Sequence, residues 1–135
     1  MGEGKLKMGQ IFSEKNKIAD RIATELLDGF KERFVSSDYD PNNQQKSWLL
    51  WCNLSCKAQP MPTEDIQSLP MNKNKKVYFY SERDKEMYEV LLSEIYDYID
   101  EFEPWEEIDA EIFDASYAWF IAITHEDISL VYGVF

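Results

Sequence analysis

Residues 117–135, "YAWFIAITHEDISLVYGVF", decide the fold. Two apolar runs flank a polar insert, Thr124-His125-Glu126-Asp127, which carries the only histidine of the chain. Aromatic and β-branched residues on both sides of a short polar break spell a β-hairpin with the polar group at its tip. The first run is apolar on both faces and is expected in the middle of a sheet. The second alternates Ile128, Leu130, Tyr132 and Val134 against Ser129, Val131 and Gly133, the pattern of a strand with two unlike faces. His125, Glu126 and Asp127 form a candidate polar site at the tip, and a hairpin-tip histidine needs no proton-transfer role to explain its position.

Working outward, "EIDAEIFD" (107–114) reads as the preceding strand and "KVYFYS" (76–81) as a short aromatic one. Between them, Met87, Val90, Leu91, Ile95, Tyr98, Ile99 and Phe102 recur at three-and-four spacing. Ser81 and Asp84 resemble a capping box, so a helix is expected from Ser81 until Pro104 ends it. Ile18, Ile22, Leu26 and Phe30 in residues 13–35 predict an earlier amphipathic helix of about five turns. Residues 36–47 have loop composition, with Pro41 and two asparagines. "WLLWCNLSC" (48–56) alternates as a strand with Trp48, Leu50, Cys52, Leu54 and Cys56 on one face, a buried helix being the alternative. Residues 57–76 hold three prolines and read as a connection in which Thr63 caps one helical turn running to Leu69. These segments make an α+β fold: a mainly antiparallel sheet with a C-terminal β-hairpin, packed on one or two amphipathic helices. Residues 1–135 form one domain, with 1–9 as a flexible leader.

At 135 residues, with 44% apolar and 15% aromatic side chains, the chain is rich enough to bury a core despite a net charge of -12. The N-terminus lacks the apolar stretch of a secretory signal, and "YAWFIAI" is far short of a membrane span, so a cytoplasmic location is expected. Cys52 and Cys56 match neither a C-x-x-C redox pair nor a zinc site, and are expected as reduced, partly buried thiols.

Charge is the most informative property. Residues 1–85 hold all 14 lysines and arginines against 12 acids, whereas residues 86–135 hold 14 acids and no lysine or arginine. The densest stretch, "DYIDEFEPWEEIDAEIFD" (97–114), interleaves carboxylates with Phe102, Trp105 and Ile108. Crowded like charges cost stability, so such a segment is either a solubilising face or a docking surface for a basic protein, whose anchors would be the aromatics. The docking residues expected on the second view are Asp100, Glu101, Phe102, Glu103, Trp105, Glu106, Glu107 and Asp109. Direct nucleic-acid binding is excluded by the shortage of basic clusters beyond "KNKK" (73–76). No calcium loop, P-loop, dinucleotide-binding fingerprint, nucleophile elbow or zinc-protease motif is present, so neither metal nor cofactor is expected and no residue is assigned as catalytic.

Asp109, Ile112, Asp114, Tyr117, Trp119 and the Thr124-His125-Glu126 triplet, spanning the last third of the chain, resemble the C-terminal part of small bacterial proteins found mostly in Gram-positive species. The likeness extends loosely to immunity proteins of bacterial toxin systems, although the ending "VYGVF" lacks a glycine-proline-aromatic close. The resemblance implies an accessory protein and transfers no catalytic residue. The leading expectation is therefore a non-enzymatic acidic binding protein of immunity or inhibitor type that neutralises a basic partner such as a nuclease toxin. Two alternatives stay open: a small bacterial enzyme or regulatory domain using His125 and nearby carboxylates, and a phage or plasmid nucleic-acid mimic.

Overall fold

A computed structural model of the chain describes residues 12–43, 45, 47–101 and 108–134. The strands are β1 (Gln59–Pro62), β2 (Lys76–Ser81), β3 (Glu86–Leu91), β4 (Ala110–Phe113), β5 (Phe120–Ile123) and β6 (Ile128–Tyr132). They form one sheet in the order β1-β6-β5-β4-β2-β3, with every pairing antiparallel. Two α-helices, α1 (Asp20–Phe34) and α2 (Leu92–Asp100), cover opposite faces, giving the α+β architecture that the sequence predicts.

The C-terminal hairpin forms as expected. β5 is buried along its whole length between β4 and β6, and the Thr124 hydroxyl closes the tip by donating to the Ile128 carbonyl at 2.6 Å. In β6 the deeper face is that of Ser129 and Val131, because α2 and its neighbours pack there, while Leu130 and Tyr132 meet the α1 layer. Within that layer Phe30 and Phe34 are fully buried, with Phe30 5.0 Å from the Phe113 ring and Phe34 4.8 Å from the Phe120 ring. Burial of each ring contributes about 2–3 kcal/mol. α1 is shorter than its apolar periodicity suggests. Residues Glu14–Asn16 form a separate 3-10 turn, Lys17 bridges to Tyr88 at the sheet edge, and Ile22 is 44% exposed.

Three segments depart from the sequence reading. The helix expected from Ser81 is instead a hairpin followed by a shorter helix. Ser81 and Asp84 hydrogen-bond to each other in the β2–β3 turn, where Lys85 adopts φ 55°, and Tyr88 and Val90 then face the α2-side core as strand residues. The helix proper begins at Leu92, with the Glu94 carboxylate accepting from the Leu91 amide at 3.0 Å. Residues 48–56 contain a 3-10 turn, Leu50–Asn53, rather than a strand. The Asn53 side-chain amide donates to the carbonyls of Ser47 and Leu49 and winds the chain, so that Leu50 is buried while Trp48 and Cys52 are exposed. The connection 57–76 supplies β1, whose Pro60 and Pro62 are tolerated because it is an edge strand, and a 3-10 helix, Thr63–Ser68. Thr63 does not cap that helix; its hydroxyl shares a 2.9 Å hydrogen bond with Ser129. Both cysteines are free thiols; Cys56 is partly buried as expected, whereas Cys52 is exposed because the 3-10 turn carries it outward.

Gly29 lies inside α1, where alanine is intrinsically better by about 1 kcal/mol. A side chain there would overlap the phenol of Tyr117, whose hydroxyl donates to the Leu26 carbonyl at 3.1 Å and whose ring stacks on Phe113. Gly29→Ala is therefore expected to destabilise the protein by about 1–2 kcal/mol in chemical denaturation, against its helix propensity. A gain in stability would show that α1 is not held this close to the Tyr117 loop.

Candidate functional site: a buried carboxylate cluster beside a cleft

Alternation along two strands brings three acidic residues to the α1 side of the sheet. Glu111 in β4 shares its face with Phe113, and its register partner Tyr80 is followed two residues later by Glu82. Asp109 shares the parity of Glu111. All three are buried: Glu82 is 3% exposed, Asp109 1% and Glu111 0%.

Asp109 is the best satisfied. Its Oδ1 accepts from Trp51 Nε1 at 2.8 Å, the His125 backbone amide at 3.2 Å and His125 Nδ1 at 2.9 Å, and its Oδ2 accepts from Arg83 Nε at 2.7 Å. One carboxylate thus ties the 3-10 turn 50–53, the β2–β3 turn and the β5–β6 tip together. Trp51 also meets the His125 ring edge-on at 5.6 Å. Asp109 was expected on an exposed docking surface; it is an internal hub, because an acid two residues before Glu111 on the same strand face turns inward with it.

Glu82 and Glu111 present the opposite case. Glu82 Oε1 accepts from the Leu50 amide at 2.8 Å, but Glu82 Oε2 and both Glu111 oxygens find no donor among the described residues. The two carboxyls face each other and can hydrogen-bond only through a shared proton. Burial pushes both above the usual carboxylate range, and mutual repulsion adds to the shift of Glu111. Burial and the same two carboxyls push the Tyr80 phenol up to about 12, so it remains an O–H donor at neutral pH.

Beside Glu82 opens a cleft of about 670 Å³ between α1, residues 39–42 and 48–50, and the end of β2. Leu27 and Lys31 form its α1 wall, Tyr39 and Trp48 the loop wall, and Arg83 and Lys85 its rim on the β2–β3 turn. The Tyr39 hydroxyl donates to the Trp48 carbonyl at 2.6 Å, which holds the loop wall together.

Of the residues singled out in the sequence, His125, Glu126 and Asp127 do share the hairpin tip; His125 joins the Asp109 network through its ring, whereas Glu126 and Asp127 are held there through their backbones, to the Thr124 hydroxyl and the Thr63 amide. No serine, threonine or cysteine is hydrogen-bonded to its ring among the described residues. Asp100 and Glu101 are exposed at the end of α2, while Phe102, Glu103, Trp105, Glu106 and Glu107 lie outside the described residues. No group of three metal-binding side chains occurs among the described residues, nor is any helix there long and apolar enough to cross a membrane. Sequence reasoning missed Glu82, Glu111 and the cleft. The available signal was parity, since Tyr78, Tyr80 and Glu82 fall on one strand face and Asp109, Glu111 and Phe113 on another. No protein-family model matches the chain, and no curated protein and no solved structure is significantly similar to it.

Proposed function

We propose that the protein is a non-enzymatic acidic binding protein of immunity or inhibitor type, which neutralises a basic protein partner, such as a nuclease toxin, by covering its cationic surface. The observation that carries this reading is the last turn of α2. Asp97, Asp100 and Glu101 are exposed there, with no basic residue in that turn and no ion pair among the described residues. The carboxyl end of a helix carries a partial negative charge, and like charges three and four residues apart repel, so the arrangement opposes stability. Gln67 of the adjacent 3-10 helix donates to Asp100, bringing the exposed Glu64 and Asp65 of that helix toward the same edge. A cationic partner would relieve that repulsion. The acids at 103, 106 and 107 continue the chain directly from this turn, and Phe102 and Trp105 are the proposed anchors.

Affinity capture with the immobilised protein, eluted in a salt gradient, tests the reading when run beside a variant carrying Glu103→Lys, Glu106→Lys and Glu107→Lys. A basic protein retained by the wild type and lost by the variant is expected. A retained partner that is indifferent to the three reversals would return these acids to a solubilising role. A phosphate-backbone mimic is the same electrostatic proposal with a nucleic-acid-binding protein as target. The Asp109–His125 pair favours a second reading, an enzyme or regulatory domain, because a carboxylate on Nδ1 orients an imidazole whose other nitrogen can exchange protons. In that case His125→Ala abolishes an activity while leaving the fold intact.

A further inference from the structure

We propose that the cleft between α1 and the end of β2 binds a small organic anion: a single phosphate or carboxylate head on a flat apolar body. The inference is independent of the acidic docking edge, which belongs to the opposite face of the sheet, and a cleft rimmed by cations repels the basic partner proposed for that edge.

Charge carries the first part of the case. In a chain with 26 acids against 14 lysines and arginines, the charged side chains lining this cleft are Lys31, Arg83, Lys85 and one acid, Glu82. The Glu82 carboxyl is buried, with one oxygen committed to the Leu50 amide, and the three cations lining the cleft outnumber it. Arg83 is engaged with Asp109, but neither Lys31 nor Lys85 has a carboxylate partner among the described residues. Two ammonium groups without a carboxylate partner, that of Lys31 lying over the Tyr39 ring, make this cleft of so acidic a protein a place that attracts an anion. The Tyr80 hydroxyl, which has no hydrogen-bond partner among the described residues, adds a neutral donor that remains protonated to high pH.

Shape carries the second part. The walls are aromatic and aliphatic: Tyr39 and Trp48 on one side, Leu27 on the other. Trp48 is 42% exposed, one of three large hydrophobic residues exposed among those described, so it offers an uncovered flat surface next to the cations. The volume of about 670 Å³ lies within the range of pockets that enclose small molecules. An aromatic carboxylate and a nucleoside monophosphate share this chemistry of head and plate.

The test is a calorimetric titration of the full chain with benzoate, phenyl phosphate and adenosine monophosphate, with inorganic phosphate as the headgroup alone. At least one organic anion is expected to saturate with a dissociation constant of about 1 mM or lower, with inorganic phosphate at least about tenfold weaker. Tighter binding of the two phosphates assigns a phosphate ester, and tighter binding of benzoate a carboxylate. The double variant Lys31→Glu, Lys85→Glu, checked for an unchanged circular dichroism spectrum, is expected to weaken binding by about tenfold or more, and Tyr80→Phe by about threefold to tenfold. Lys73→Glu, outside the cleft lining, should leave binding unchanged. The proposal is overturned if no organic anion saturates, if inorganic phosphate binds as tightly as any of them, or if the double reversal has no effect.

Discussion

Replacing Asp109 with alanine is expected to lower stability by about 3 kcal/mol, because four donors from three separate segments lose their common acceptor. Arg83 and His125 keep about a third of their side-chain surface in water, 36% and 33%, and rehydrate in part. That holds the loss to the lower end of what breaking a fully enclosed ion pair costs. Denaturant titration and a fall in Tm on the order of 10 °C would both report it. His125→Ala removes only one side-chain donor and should cost under about 1 kcal/mol, which distinguishes loss of the hub from loss of the histidine. A stable Asp109→Ala protein would show that the three segments are held by packing alone.

The second large effect belongs to Glu111. Its carboxyl is fully buried, faces Glu82 and has no donor among the described residues, so folding favours its protonated form. A carboxyl raised in the folded state contributes stability that is fully present below its ordinary pKa of 4.5 and is lost as pH rises toward the elevated value. The wild type is therefore expected to weaken as pH rises above the ordinary carboxyl range. Glu111→Gln removes the ionisation and supplies an amide that can donate to the unpartnered Glu82 oxygen. It should stabilise the protein by about 1–3 kcal/mol at pH 8, leave it nearly unchanged at pH 4, and flatten the profile between. Groups that share the environment and remain in the variant are Glu82, itself raised by burial, and Asp109, Tyr39, Tyr80, Cys52, Lys31 and Arg83. A variant that keeps the wild-type slope would assign the pH dependence to one of those.

How much of this was legible depended on how local the signal was. The β5–β6 hairpin was readable because its alternation, its polar break and its turn residues lie within twenty positions. The strand at 86–91 was not, for two reasons. Met87, Val90 and Leu91 satisfy a helical spacing and a strand equally well over so short a stretch. The Ser81–Asp84 pair is chemistry common to helix caps and tight turns. Residues 48–56 lost their alternation to a single side chain, Asn53, which bonds back to two carbonyls. The buried carboxyls were invisible for a deeper reason. An acid in "IDAEIF" resembles every other acid of an acidic segment until β2 and β5 pair on either side of it. The cleft joins residues from positions 27 to 85 and has no local signature.

The central claim, recognition of a basic partner by the acidic edge, is tested most directly by the association rate with a captured partner as a function of ionic strength. Between 0.01 M and 0.15 M salt the screening length falls from about 30 Å to about 8 Å, so a rate driven by charge should drop by about tenfold or more while dissociation changes little. The variant with Glu103→Lys, Glu106→Lys and Glu107→Lys should associate more slowly at low salt and respond less to added salt. An association rate that is flat across this range, and equal in the two proteins, would contradict the account.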